Sequence, residues 1–235
     1  MDDEEPGRGK DPTPGAAILE LMRSRRSIRL YQARPVPEAV LLELLEAARW
    51  APSAANLQPW QFVVVTDPQT RAAVARWARL YFLRFPHVAA APVLIAILGD
   101  PTLSRWYRID CSLAGANLML AAHALGLGTC WIGAFDERRV REVLRVPDRL
   151  EIVGLLTLGY PAEDPVPPPR FPLSDLVHRE AYSPAVGPSL ARRLTRSGIW
   201  SLRKRVRRFL PSVRGRLRAA LRRRGRAGDG QGRRG

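Results

Sequence analysis

A chain of 235 residues buries one good core and leaves no room for a second full domain. Its net charge of +16 resembles that of a nucleic-acid-binding protein until the charge is located. Residues 1–189 carry 21 basic and 21 acidic side chains, whereas residues 190–235 carry 17 basic ones against the single acid Asp229.

The acidic, Pro- and Gly-rich residues 1–14 predict a disordered leader and lack the apolar run of a signal peptide. Ile18, Leu19 and Met22 give a short helix over 16–23 that runs into a cluster of arginines. Pro35 and Pro37 break the chain, and Val40, Leu41, Leu44, Leu45 and Ala48 then repeat at helical spacing over 38–50 until Pro52. Residues 61–66 form a β-branched strand, 69–85 a helix, and 92–98 a second, buried strand. Small residues fill a tightly packed helix over 109–125, stopped by Gly126 and Gly128. A strand at 129–132, a helix capped by Asp136 and running to Leu144, and a strand at 152–158 follow. From Pro165 the Pro-rich chain reads as an extended arm. Helices and strands do not alternate strictly, and two helices precede the first strand, so the expected class is α+β. No apolar run reaches the ~20 residues of a membrane span, which makes the body cytoplasmic by default.

Two isolated cysteines, Cys111 and Cys130, and three scattered histidines make neither a disulfide scaffold nor a metal site. No P-loop, paired catalytic carboxylates or Ser/His/Asp order is present. The Gly126–Gly133 stretch lacks a third glycine at the right offset and precedes a strand, so it is no dinucleotide fingerprint. Two stretches carry chemistry. Arg25-Arg26-Ser27-Ile28-Arg29-Leu30-Tyr31 offers charge, bidentate donors and a short hydroxyl, as a phosphate-bearing ligand requires. Pro52-Ser53-Ala54-Ala55-Asn56-Leu57-Gln58-Pro59-Trp60 offers amides, hydroxyl and aromatic to a flat, heteroatom-rich ring. Taken singly, the arginines also suit a solvated helix C-terminus, and the second stretch an ordinary loop. Together they suggest a flavin mononucleotide site, consistent with a protein in which the cofactor does the chemistry.

Residues 15–182 resemble the nitroreductase family of flavoenzymes. The resemblance rests on four pieces in order: Arg-Arg-Ser-Ile-Arg at 25–29, the stretch at 52–60, Gly-Leu-Gly-Thr-Cys-Trp-Ile-Gly at 126–133, and Leu-Gly-Tyr-Pro at 158–161. It implies a nitroreductase-like fold, a central, mainly antiparallel sheet flanked by helices, in an intertwined homodimer. It also implies an FMN-dependent oxidoreductase that passes hydride from NAD(P)H through flavin N5 to a nitroaromatic, quinone or similar small acceptor, with no catalytic side chain. Arg25, Arg26 and Ser27 match the family's FMN phosphate and ribityl contacts, and Arg29 the cation near the N1/C2 carbonyl. Pro52, Ser53, Ala54 and Asn56, with Gln58 in the same motif, match the segment that reaches the flavin from the second subunit. Trp131, Ile132 and Gly133 match the loop along the ring edge, with the Gly133 N–H toward N5. Arg170 aligns with a late basic residue near the phosphate. Other branches of the family fragment flavin or dehalogenate aromatics. The link from Leu98 to Tyr107 is short where larger members roof the pocket, leaving Arg105, Trp106 and Tyr107 to line it.

The remaining segment, 183–235, lies outside the resemblance. From Ile199 its apolar residues (Leu202, Val206, Phe209, Val213, Leu217, Leu221) fall three or four apart between arginines, the pattern of an amphipathic cationic helix kinked near Pro211 and Gly215. Three readings stay open for residues 190–235: an anionic, inner-membrane surface, nucleic acid, or an extension docked on the body. A rival to the enzyme reading makes the flavin fold a non-catalytic scaffold whose basic tail binds anionic membrane or nucleic acid.

Overall fold

The computed structural model describes residues 13–80, 83–184 and 186–188. The readings of residues 190–235, and of all but the last two residues of the leader, lie outside these. The chain divides into two units, Met1–Pro167 and Pro168–Gly235.

The first unit opens with α1 (Pro14–Ser24), its Pro at the first turn and Thr13 capping it by accepting from the Ala16 N–H at 3.3 Å. Then come α2 (Glu38–Arg49), β1 (Trp60–Val65) and α3 (Pro68–Ala75), the last capped by Asp67. A two-residue-stranded hairpin, β2 (Arg79–Leu80) and β3 (Leu83–Arg84), leads into α4 (His87–Ala90) and β4 (Val93–Gly99). The long α5 (Tyr107–Ala124), β5 (Gly128–Ile132), α6 (Glu137–Leu144) and β6 (Glu151–Gly159) complete the unit.

Four strands pair in the order β1-β4-β6-β5, antiparallel throughout, so the expected mainly antiparallel sheet is found. Strand β4 lies between two neighbours and is buried on both faces, the reason it reads as an unbroken apolar run. Val93, Ile95 and Ile97 point into one core with α2 and α5, while Leu94, Ala96 and Leu98 point into a second with α3, α4 and α6. A register shift at Ile97/Leu98, opposite Gly154 and Ile152, inserts Val153 as an extra residue in β6.

The helix expected over 69–85 is a correction. α3 ends at Ala75, and Trp77 turns the chain by donating from its N–H to Val74 O (2.9 Å) and accepting from Asp136 N (3.0 Å). Beyond it Arg79 pairs with Arg84 and Leu80 with Leu83. Tertiary bonds and the aromatic, bulky run override the helical spacing.

Helix α1 buries no residue, and Ile18, Leu19 and Met22 are each more than half exposed. Among the described residues no helix is long and apolar enough to cross a membrane. In the second unit, a 3₁₀ turn at Leu173–Asp175 is followed by His178 stacked on Tyr182 at 4.5 Å between ring centroids.

Candidate functional site

The arginine segment follows α1 and is stitched into the sheet by its own backbone. Ser27 bridges Thr129 in parallel, Tyr31 bridges Pro161 antiparallel, and Ile28 N donates to Thr129 O at 2.9 Å. Gln32 N donates to Tyr160 O and Ala162 N to Leu30 O, each at 2.9 Å. Glycines make room for this. A Cβ on Gly128 would come within 2.6 Å of the buried Ile28 side chain, and one on Gly159 within 3.0 Å of Tyr31. The Tyr31 hydroxyl donates to Ile28 O at 2.7 Å and shares a 2.7 Å hydrogen bond with Thr157, and burial raises its pKa. Tyr31 and Thr157 lock the segment, a role the sequence reading missed.

A cleft opens beside this segment, lined by Ser24, Arg25, Arg26, His123, Gly128 and Glu163, among others. Gly126, at φ +73°, ends α5 in the left-handed region, which turns the chain toward the cleft. The Arg26 guanidinium folds back onto the last carbonyls of α1, donating to Arg23 O (2.6 Å) and Arg25 O (2.9 Å). Arg25, Arg26 and Arg29 form no salt bridge among the described residues. His123 Nε2 lies 2.9 Å from the Ser24 hydroxyl, and burial, with Arg25 and Arg26 adding to it, lowers the His123 pKa. Glu163 accepts from the backbone N–H groups of Arg29 and Leu30. His87, 7 % exposed, has no hydrogen-bond partner for Nε2 among the described residues, and burial, with Arg29, depresses its pKa to about 4.

The second stretch leaves α2 as a strained turn. Ala55, Asn56 and Gln58 all take left-handed φ values (49°, 56° and 48°). Ser53 organises it: its Oγ accepts from Gln58 N (3.1 Å) and its carbonyl from Asn56 N (3.1 Å). Asn56, Leu57 and Gln58 are exposed, Ser53 and Ala54 half-buried, and Trp60 buried at the start of β1. Among the described residues no hydrogen bond or strand pairing joins this loop to the arginine segment within one chain.

The third piece ends β5. Trp131 sends its ring inward, where a Cβ on Gly115 or Gly154 would approach it to 2.4 or 2.3 Å, and Ile132 points into the opposite core. Both side chains are taken up by core packing. What this piece presents is backbone, above all at the exposed Gly133. Tyr107, expected to line the pocket roof, is instead buried beneath Gly99 with its hydroxyl bonded to Glu151. Arg170 belongs to the second unit.

A phosphate is suited by this donor set, two guanidinium groups and a hydroxyl around one cleft, and a planar ring by exposed amides and a strand-end N–H. No cluster of three or more His, Cys, Asp or Glu able to hold a metal occurs among the described residues. Burial pushes the Cys111 thiol up to about 12 and raises that of Cys130, so neither is an activated nucleophile.

The family model described as Nitroreductase family matches residues 22–83 and 73–160. An NADH dehydrogenase from Thermus thermophilus is 35% identical over 190 residues, covering 65% of this chain and 91% of that protein. An oxygen-insensitive NADPH nitroreductase from Salmonella typhimurium is 31% identical over 191 residues (74% and 78%). A 5,6-dimethylbenzimidazole synthase from Rhodospirillum rubrum is 31% identical over 189 residues (67% and 88%). Among solved structures, an FMN-dependent nitroreductase from Clostridium difficile superposes with a TM-score of 0.61 at 28% identity, covering 71% of this chain and 98% of the other.

Proposed function

The chain belongs to the nitroreductase family, and from that premise we propose that it is an FMN-dependent oxidoreductase. It moves reducing equivalents from NAD(P)H to a nitroaromatic, quinone or similar small acceptor. The observation that carries this reading is the cleft that Arg25 and Arg26 form with the start of β5 at Gly128 and Thr129, the strand whose other end leads to the exposed Gly133.

Bound FMN supplies the two-electron chemistry, accepting and releasing hydride. The chain's own residues hold and tune it. Arg25, Arg26 and Ser27 take the phosphate and ribityl hydroxyls through charge-assisted bonds. Arg29 sets a positive charge beside the ring's N1/C2 edge, where negative charge is then favoured. The Gly133 N–H meets the N5 edge, with Trp131 and Ile132 anchoring that donor from the two cores. Pro52, Ser53, Ala54, Asn56 and Gln58 reach a flavin held by the second subunit of a homodimer. Support for the dimer comes from the uncovered faces of α1 (Ile18, Leu19, Met22) and α5 (Trp106, Ile109, Leu113), all exposed in one chain. The two buried, unpaired thiols accord with a cytoplasmic setting.

A second reading, flavin fragmentation or dehalogenation, draws on the likeness to the Rhodospirillum rubrum synthase and to an iodotyrosine deiodinase from Thermotoga neapolitana, and on the short link from Gly99 to Tyr107. The deciding experiment is an absorption spectrum of the purified protein before and after anaerobic NADPH. An oxidised-flavin spectrum that bleaches promptly is expected. A flavin spectrum that persists with both NADPH and NADH supports the second reading. A colourless protein that refuses added FMN overturns both. Replacing Arg25 and Ser27 together with Ala is expected to weaken FMN binding by more than about a hundredfold, since charge-assisted bonds contribute roughly 1.5–3 kcal/mol each; retention of stoichiometric FMN would count against the assigned phosphate contacts.

A further inference from the structure

We propose that Asp110 is the positioning residue that holds the Ser53–Gln58 loop in its ligand-binding shape, with Ser104 orienting its carboxylate. The inference deepens the flavin reading and rests on it, because the loop is there assigned to the flavin.

The loop does not favour its own shape. Of the three residues with left-handed backbone, only Asn56 adopts that region readily, and Ala55 and Gln58 occupy it against steric cost. Its internal bonds, Asn56 N to Ser53 O, Leu57 N to Ala54 O and Gln58 N to Ser53 Oγ, close the turn without fixing it to the body. Outside bonds must do so. Asp100 N donates to Pro59 O at 2.9 Å, which secures the exit into β1. Asn117 donates from Nδ2 to Ala47 O at 3.2 Å, which secures the exit from α2. That carbonyl is left over because Ala51 N turns to Ala48 O and Pro52 has no N–H. Among the described residues only Asp110 bonds the loop between those two ends, its Oδ1 accepting at 3.3 Å from Ala54 N, the amide just before the strained Ala55.

Asp110 is an expensive group to place there. It is 3 % exposed, in no salt bridge among the described residues, on a helix whose other buried residues include Cys111, Ala114, Gly115 and Leu118. A buried carboxylate is tolerated where its oxygens are used and its charge is favoured. Both conditions hold. Ser104 Oγ donates to Oδ2 at 3.2 Å while accepting from Trp106 N at 3.0 Å, and Asp110 lies in the first turn of α5, the positive end of the helix. Two turns further along the same helix face, Asn117 acts on the same connection. A pair of polar side chains on α5 thus sets where α2 ends and how the loop is presented.

The test is an FMN titration of apo-protein, read by flavin fluorescence, for the wild type, Asp110→Ala, Asp110→Asn, Asp110→Leu and Ser104→Ala, with amide hydrogen exchange at residues 54–58. Asp110→Ala should raise the Kd for FMN at least tenfold and accelerate exchange in the loop. Asp110→Asn keeps an oxygen for the Ala54 N–H and should return the Kd to within about threefold of wild type, whereas Asp110→Leu, which fills the space without an acceptor, should bind FMN as weakly as Asp110→Ala, an outcome that a mere packing role does not predict. Ser104→Ala should raise the Kd two- to threefold. An unchanged Kd in Asp110→Ala, or Asp110→Asn as weak as Asp110→Ala, overturns the proposal. Should Asp110→Ala fail to fold, a Ser104→Ala protein with wild-type Kd and wild-type loop exchange overturns it. A wild type that binds no FMN sinks the flavin reading instead, and loop exchange in the variants still decides whether Asp110 holds the loop.

Discussion

The Arg25–Tyr31 segment is fastened by its backbone, whereas the Pro52–Trp60 loop is fastened by side chains that other elements lend it. The first bridges Thr129 and Pro161, buries Ile28 and closes on Tyr31. The second is strained and mostly exposed, tied down by Asp110, Asn117 and the chain at Asp100. A segment built into a sheet keeps its charges in place whatever surrounds it. A loop held at a few points has a shape that depends on distant residues, and it is easier to retune.

Gly128→Val attacks the fastened segment where it is least tolerant. The new side chain begins 2.6 Å from Ile28 and cannot be accommodated by a flexible tip, so a loss of about 3 kcal/mol is expected in chemical denaturation. Stability within 1 kcal/mol of wild type would mean the segment is not locked to β5. Tyr31→Phe removes one hydroxyl and leaves the Thr157 partner buried; a cost of about 1–2 kcal/mol follows in the same assay.

Acid probes the charges around the segment. Burial holds His87 neutral, lowering its pKa from 6.5 to about 4, so the unfolded chain takes the proton first. Stability should therefore fall as pH drops from about 6.5 toward 4, and His87→Phe should flatten that part of a melting-temperature profile. A profile identical in both proteins would show that His87 carries none of the acid sensitivity. The smallest effect is assigned to the loop. Ala55→Gly relieves a left-handed alanine and should stabilise the protein by roughly 0.5 kcal/mol, measured as a small rise in melting temperature. A fall would show that the surroundings enforce the turn at no net strain.

The strands were legible because each announces its burial. The 92–98 run is apolar on both faces since β4 is covered twice, and Asp136 caps α6 as its spacing implies, accepting from Arg139 N at 3.1 Å. The hairpin at 79–84 was not legible, for residues 69–85 fit a helix locally and are redirected by the distant Asp136 N bond to Trp77 O and by the closing bond from Phe85 N to Ala78 O. In the site, the charged and amide residues stood out by type. Their supports did not. Asp110 and Thr157 lie 56 and 126 residues from the groups they hold, and no local pattern marks such a pair. Trp131 stands in a motif that suggested a ring edge, yet its indole points into the core, a direction that the strand's face decides.

That indole occupies a slot made by two absent methyl groups, one on α5 at Gly115 and one on β6 at Gly154. It works as a shim. The thickness of an aromatic ring sets how high the end of β5 stands above the helix, and with it the height of the Gly133 amide. Residues after Gly133 can change in length and chemistry without shifting that amide, while a single added carbon at Gly115 or Gly154 would tilt it.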